Sequence, residues 1–197
     1  MEHAVILAHP NPASVNAVLA GAYADTVRSL GHQVVVRDLY AIGFDPCLHA
    51  DELPWAPGFA PRPDVVAERA LLANARVIAF VYPFWFNAPP AMLKGYVDRV
   101  FGEGFGFGPA AGGTSPLLTG RSLISISTSG APDHWVARTS ALTDLRRGFD
   151  DHVSAVCGLT VLEHVHVGGV TPGIRPDAVE AMAARVADSA RKHFAPA

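Results

Sequence analysis

Short apolar runs alternate along the chain with longer stretches whose apolar residues return every three or four positions. Ala4–Ala8 is apolar without interruption, the pattern of a strand covered on both faces. Val15–Leu30 carries Val18, Leu19, Ala22, Tyr23, Val27 and Leu30 at helical spacing, and Gly31 supplies a stop. Gln33–Arg37 is rich in β-branched valine and predicts a second strand. The pattern continues with a helix over 64–73, a strand over 76–81 and a helix over 90–101 that opens on proline. A strand over 121–128, a helix over 136–153, a strand over 159–167 and an amphipathic helix over 176–194 complete it. Two stretches break the rhythm. Tyr40–Pro63 holds five prolines with Cys47, Trp55 and Phe59, and Gly102–Gly113 is a glycine- and phenylalanine-rich loop.

This alternation predicts one α/β domain over residues 1–197: a flavodoxin-like three-layer sandwich with a five-stranded parallel sheet in the order 2-1-3-4-5 and helices on both faces. Ligands of such sheets bind beyond the carboxyl ends of the strands, near the reversal of strand order. The loops after the first, third and fourth strands therefore carry the functional argument.

The composition narrows the class. At 197 residues the chain can bury a core without disulfides, and its two cysteines lack CxxC spacing. A charged fraction of only 17% against 50% apolar residues leaves room for a subunit interface. A net charge of −3 with no basic run argues against nucleic acid. There is no apolar run near the ~20 residues of a membrane span, and no signal-peptide pattern, so a soluble cytoplasmic protein without membrane insertion is expected. The glycine fingerprint GxGxxG, the P-loop and the GxSxG elbow are absent.

The first loop, His9–Ser14, leads into a helix whose start, Ser14, Val15 and Asn16, offers a capping hydroxyl, free amides and a side-chain donor. That pattern suits either a phosphate or simply a capped turn. The second loop, Tyr82 to Pro90, crowds four aromatics and three prolines at a strand end. A stiff apolar wall there suits a flat ligand, a partner subunit or core packing. The third, Ser127-Thr128-Ser129-Gly130, is small and polar, able to present donors to a ligand edge. His134 follows, as a proton donor or as a helix-capping residue.

Together these segments resemble the flavodoxin-like NAD(P)H:quinone oxidoreductase family. The first family pattern, A-H-x-x-x-x-S-x-N, is met by Ala8, His9, Ser14 and Asn16. The central pattern is met by Pro83, Phe86, Pro90, Ala91, Leu93, Lys94, Gly95, Tyr96, Asp98, Arg99 and Val100, and is continued by the Phe-Gly run 101–108. The T-T-G-G pattern is seen as Thr128, Ser129 and Gly130. The resemblance implies non-covalent FAD, or FMN in shorter members, with NAD(P)H as co-substrate, a quinone-like acceptor and a homodimer with interfacial sites. His9, Ser14, Val15 and Asn16 would hold the phosphate end. Pro83, Phe84, Trp85, Phe86 and Asn87 would line the ring, and Ser127, Thr128, Ser129 and Gly130 would meet its polar edge. The family's tyrosine beyond T-T-G-G is missing, since no tyrosine follows Tyr96, and His134 is the candidate substitute.

The implied mechanism is a ping-pong hydride shuttle. Rival readings are a regulatory flavoprotein subunit of a membrane transporter, an azo- or nitro-compound reductase, and a one-electron carrier. Among nine histidines only His164 and His166 share a strand face, and no metal spacing occurs. Lys94 and Asp98 are placed for a surface pair, and Gly95 for close approach at a dimer interface.

Overall fold

The structure is a computed structural model and describes residues 1–196. Its strands are β1 (Glu2–Leu7), β2 (Gln33–Asp38), β3 (Val77–Pro83), β4 (Phe107–Ala110), β5 (Gly113–Pro116), β6 (Ser122–Thr128) and β7 (Thr160–Val167). The helices are α1 (Val15–Ser29), α2 (Pro63–Leu72), α3 (Ala91–Val100), α4 (Asp133–Arg138), α5 (Ala141–Leu145), α6 (His152–Cys157) and α7 (Pro176–Phe194). Five strands form a wholly parallel sheet ordered β2-β1-β3-β6-β7. Setting aside the β4–β5 hairpin, this is the predicted flavodoxin-like order, and the strand ends reverse direction of progress between β1 and β3.

Strand alternation divides the core in two. Val5, Val77, Ala79, Ile124, Ile126 and Val165 face α1 and α7. Ile6, Ile78, Phe80 and Leu123 face the opposite layer, with Leu72, Leu93, Tyr96 and Phe149. Every residue of β3 is buried, as a central parallel strand requires.

Two expectations are corrected. The Phe-Gly loop contains the antiparallel β4–β5 hairpin, possible because a Cβ on Gly106 would stand 2.0 Å from the Phe101 carbonyl oxygen. The single helix expected over 136–153 is broken at Ser140, which takes a left-handed conformation (φ 59°), and then widens into a π-turn at Arg146–Asp151. The π-turn shifts the helical phase, so both Phe149 and Asp150 point inward.

The proline-rich excursion over 40–62 is tied down by Arg99 of α3. Its buried guanidinium donates to Glu52 (2.9–3.0 Å), to Asp64 (2.7 and 3.0 Å) and to the Asp45 carbonyl (2.6 Å), and it lies over Phe44. Gly95 serves the same docking: a Cβ there would lie 2.0 Å from the Pro46 carbonyl oxygen. The close approach expected of Gly95 is thus made by the chain's own excursion. Lys94 and Asp98 form the predicted surface pair at 2.6 Å.

Candidate functional site

At the carboxyl edge of the sheet, backbone hydrogen bonds join the loops to each other. Ala8 N–H donates to the Val81 carbonyl (2.9 Å), Phe84 N–H to Thr128 (2.6 Å), Ser129 N–H to Val167 (3.0 Å) and Val170 N–H to Ser129 (2.9 Å). They enclose a cavity of about 490 Å³. His9, Ser14, Val15, Asn16, Pro83, Trp85, Thr128, Ser129 and Gly130 all border it, so all three loops singled out in the sequence converge.

The first loop is built to present donors. Asn11 Oδ1 accepts from Ala13 N–H (2.9 Å), and the Asn11 carbonyl accepts from Ser14 N–H (3.1 Å), which coils the loop into the helix start. Ser14 Oγ caps α1 by accepting from Ala17 N–H (3.2 Å). The amides of Val15 and Asn16 precede the first intrahelical bond and so lack helical acceptors. His9 Nδ1 lies 3.0 Å from the Asn11 amide nitrogen and 3.2 Å from the Asn11 carbonyl oxygen, which anchors the imidazole to the loop through that nitrogen. Burial pushes the His9 pKa down, partly opposed by its backbone contact with Asn11 and by Asp38.

Asn16 carries the clearest signal of a ligand-binding role in the cavity. It is buried at the cavity floor, and its Oδ1 accepts from Thr128 Oγ1 (3.0 Å). Its Nδ2 is also buried and has no hydrogen-bond partner among the described residues. An unsatisfied buried amide costs about 1–3 kcal/mol, a penalty that an acceptor bound in the cavity would relieve. The helix dipole of the 15-residue α1 favours an anionic one. Gly130 leaves further space, since a Cβ there would meet only Val170 O at 3.6 Å.

The second loop splits its aromatics between tasks. Phe84 is buried beneath the site, and Trp85 borders the cavity beside the His9 ring, with centroids 5.7 Å apart. Trp85 and Ala88 exchange two backbone bonds (3.1 and 3.0 Å) around Phe86 and Asn87, both left-handed at φ 49° and 56°. The result is a type I′ turn that lifts Phe86 fully into solvent.

Phe84, Phe86, Asn87 and Ser127 do not border the cavity. Ser127 is wholly buried, its Oγ between His164 Nε2 (2.7 Å) and His166 Nδ1 (2.8 Å). His134 sits exposed in the first turn of α4, outside the cavity.

Sequence reading missed the fourth wall, Val170 to Ile174, after β7. Its signal was available: Gly168-Gly169 and Pro172-Gly173 follow a strand ending at the same sheet edge. Gly168 has no room for a Cβ, which would fall 2.5 Å from Asp133 N, and its own N–H donates to Asp133 Oδ1 (2.6 Å).

With this geometry in view, comparison with known proteins is decisive for the family. The profile described as "flavodoxin-like fold" matches residues 1–192. The chain belongs to this family. Its relatives agree with the motif resemblance. An uncharacterized NAD(P)H oxidoreductase of Haemophilus influenzae is 34% identical over 132 residues, 66% of this chain and 65% of that protein. The chain spans less than two thirds of the length of the first curated relatives it matches. Among solved structures, the NAD(P)H:quinone oxidoreductase from Methanothermobacter marburgensis superposes with a TM-score of 0.86 at 22% identity, covering 100% of this chain and 98% of the other. An FMN-dependent NADH-azoreductase from Bacillus anthracis, in complex with FMN, gives 0.72 at 19% identity, covering 98% and 99%. No helix among the described residues is long and apolar enough to cross a membrane, and no cluster of His, Cys, Asp or Glu among them could hold a metal.

Proposed function

We propose that this protein is a flavin-dependent NAD(P)H oxidoreductase that passes a hydride from NAD(P)H to a quinone-like acceptor in a ping-pong cycle. The observation that carries this reading is the unpartnered Asn16 amide, on the floor of a cavity headed by the α1 N-terminus and walled by Trp85 and the Ser129-Gly130 turn. A bound flavin would supply the hydride-transfer chemistry. The chain supplies the rest. Asn16 Nδ2, the His9 imidazole and the Val15 and Asn16 amides hold the phosphate end. Pro83 and Trp85 bound the flat region, and Ser129 and Gly130 offer polar groups to its edge.

FMN and FAD stand on an equal footing: the fold is shared with an FMN-binding azoreductase and with quinone oxidoreductases. The same likeness supports azo compounds as alternative acceptors. A homodimer with interfacial sites and a cytoplasmic location complete the reading, consistent with two free thiols, one of them exposed.

The test is absorbance of the purified protein, followed by FMN and FAD titration of the stripped protein. Flavin absorbance near-stoichiometric with chain is expected; a colourless protein that takes up neither overturns the proposal. Parallel double-reciprocal lines are expected with NADH or NADPH against a quinone, and intersecting lines would remove the shared-site cycle.

A further inference from the structure

β6 carries an unusual column on the face that should be apolar. Ser125 and Ser127 alternate with the core residues Ile124 and Ile126, Ser129 follows just past the strand end, and His164 and His166 stand beside them on β7. Asp150 comes down from the π-turn to complete a continuous chain of side chains. Ser125 Oγ donates to Asp150 Oδ1 (2.8 Å), and Asp150 Oδ2 bonds His164 Nδ1. His164 Nε2 meets Ser127 Oγ (2.7 Å), Ser127 Oγ meets His166 Nδ1 (2.8 Å), and His166 Nε2 meets Ser129 Oγ (3.0 Å). Asp150, Ser125 and Ser127 are wholly buried, while Ser129 borders the cavity.

Asp, His and Ser in this order resemble a nucleophilic triad, but Ser127 Oγ lies buried between two imidazoles, where no substrate carbonyl can reach it. Its neighbours allow a different task. Ser129 Oγ has one proton and two acceptors to choose from, His166 Nε2 and the Ala131 carbonyl (2.8 Å). When Ser129 donates to Ala131, His166 must donate from Nε2 and accept at Nδ1 from Ser127. Ser127 must then accept from His164 Nε2, so the Asp150–His164 pair holds one proton more than a carboxylate and a neutral imidazole. When Ser129 donates to His166 instead, every bond reverses, His166 carries its proton on Nδ1, and the pair holds one proton fewer.

We propose that Asp150, His164, Ser127, His166 and Ser129 form a proton relay that delivers one proton to the cavity at Ser129 Oγ. The two arrangements differ by that proton alone. As Ser129 releases its proton, it takes one from His166 Nε2, His166 takes one at Nδ1 from Ser127, and Ser127 takes one from His164 Nε2. The proposal rests on the hydride-transfer reading of the cavity. Reduction of a quinone by NAD(P)H consumes a proton besides the hydride, giving NAD(P)⁺ and hydroquinone, and the relay supplies it. The His164 and Asp150 side chains are wholly buried, so reloading runs by the same steps in reverse, through Ser129 at the cavity.

The surroundings suit the task. Burial and neighbouring His164 push the His166 pKa down to about 4, so it stays neutral and can take a proton at one nitrogen while releasing the other. Asp133 opposes this shift and Arg185 adds to it, and Arg185 also donates to the His166 carbonyl (3.0 Å). Tyr82 packs on His164 and Phe149, its hydroxyl held neutral by burial and by the Asp150 charge. Glu163, Asp188 and Lys192 line a groove along the edge of β7. These residues act through Ser129 and are positioning residues; Ser129 alone meets the cavity.

The test reads tautomers directly. ¹⁵N NMR of the full-length protein across pH should show the His166 proton moving from Nδ1 to Nε2 in the same step in which the Asp150–His164 pair gains its proton. A His166 tautomer that stays fixed through that step overturns the relay, and this measurement needs neither a variant nor bound flavin. With FMN bound, Ser127→Ala should slow the quinone half-reaction at least tenfold, and abolish its dependence on the pH step seen by NMR. An unchanged half-reaction and pH profile in a variant that binds FMN overturns delivery. Failure of the cavity reading itself would look different, as no FMN uptake by the unaltered protein.

Discussion

Asn16 performs two tasks with one amide, and they can be separated. Asn16→Asp keeps an acceptor for Thr128 but removes the orphan donor and adds negative charge where an anion is expected. Flavin affinity should fall at least tenfold, about 1.4 kcal/mol or more, with native circular dichroism; fluorescence titration of the stripped protein measures it, and unaltered affinity would exclude the phosphate role. His3 illustrates burial acting on charge. Its ring bonds Tyr23 and His32 at 2.9 and 2.8 Å, and burial, then His32, then the N-terminal amine, push its pKa down from 6.5 to about 4. The unfolded chain therefore binds a proton there more readily between those values. Stability from this site is fully present above about pH 6.5 and is lost as pH falls toward 4. Urea midpoints from pH 7.5 to 4.5 should fall, and His3→Gln should flatten that slope.

The α3 helix and the loop before it show which features were legible in the sequence. Apolar runs marked all five sheet strands because parallel strands are buried on both faces, and α7 begins and ends where its periodicity does. The hairpin and the broken helix were hidden, because close backbone approach and a phase shift leave no periodic trace. Three of the four cavity walls were legible from loop chemistry. Ser127 stands away from the cavity because strand alternation, not loop composition, decides that its hydroxyl faces the histidines. Gly95→Ala should destabilise the protein by about 1–3 kcal/mol through overpacking against Pro46, read as a lower denaturant midpoint. Phe86, left-handed and fully exposed, behaves in the opposite sense. Phe86→Gly should raise stability by about 1 kcal/mol by removing the Cβ penalty, read as a higher denaturant midpoint.

Cooperativity across the molecule depends on a few polar anchors between layers. Arg99 joins α3 to the excursion and to α2, and breaking a buried pair by removing one partner costs about 3–5 kcal/mol. Arg99→Ala should loosen residues 40–62, seen as faster hydrogen exchange there, whereas β1 and β3 should keep their protection. The two thiols offer a second measure. Cys47 is exposed, while burial pushes the Cys157 pKa up to about 11. A thiol reagent at pH 8 should modify one cysteine per native chain and both after unfolding, so the second rate follows global opening.

The stitched carboxyl edge has a consequence for how this protein can change. Its loops are held by main-chain bonds such as Phe84 to Thr128 and Val170 to Ser129, which do not depend on side-chain identity. Exchanges at Trp85, Thr171 or Ile174 would therefore recontour the cavity on a frame that stays put. New binding preferences can be reached one substitution at a time, each intermediate remaining folded, which makes this rim the place to begin redesigning what the cavity holds.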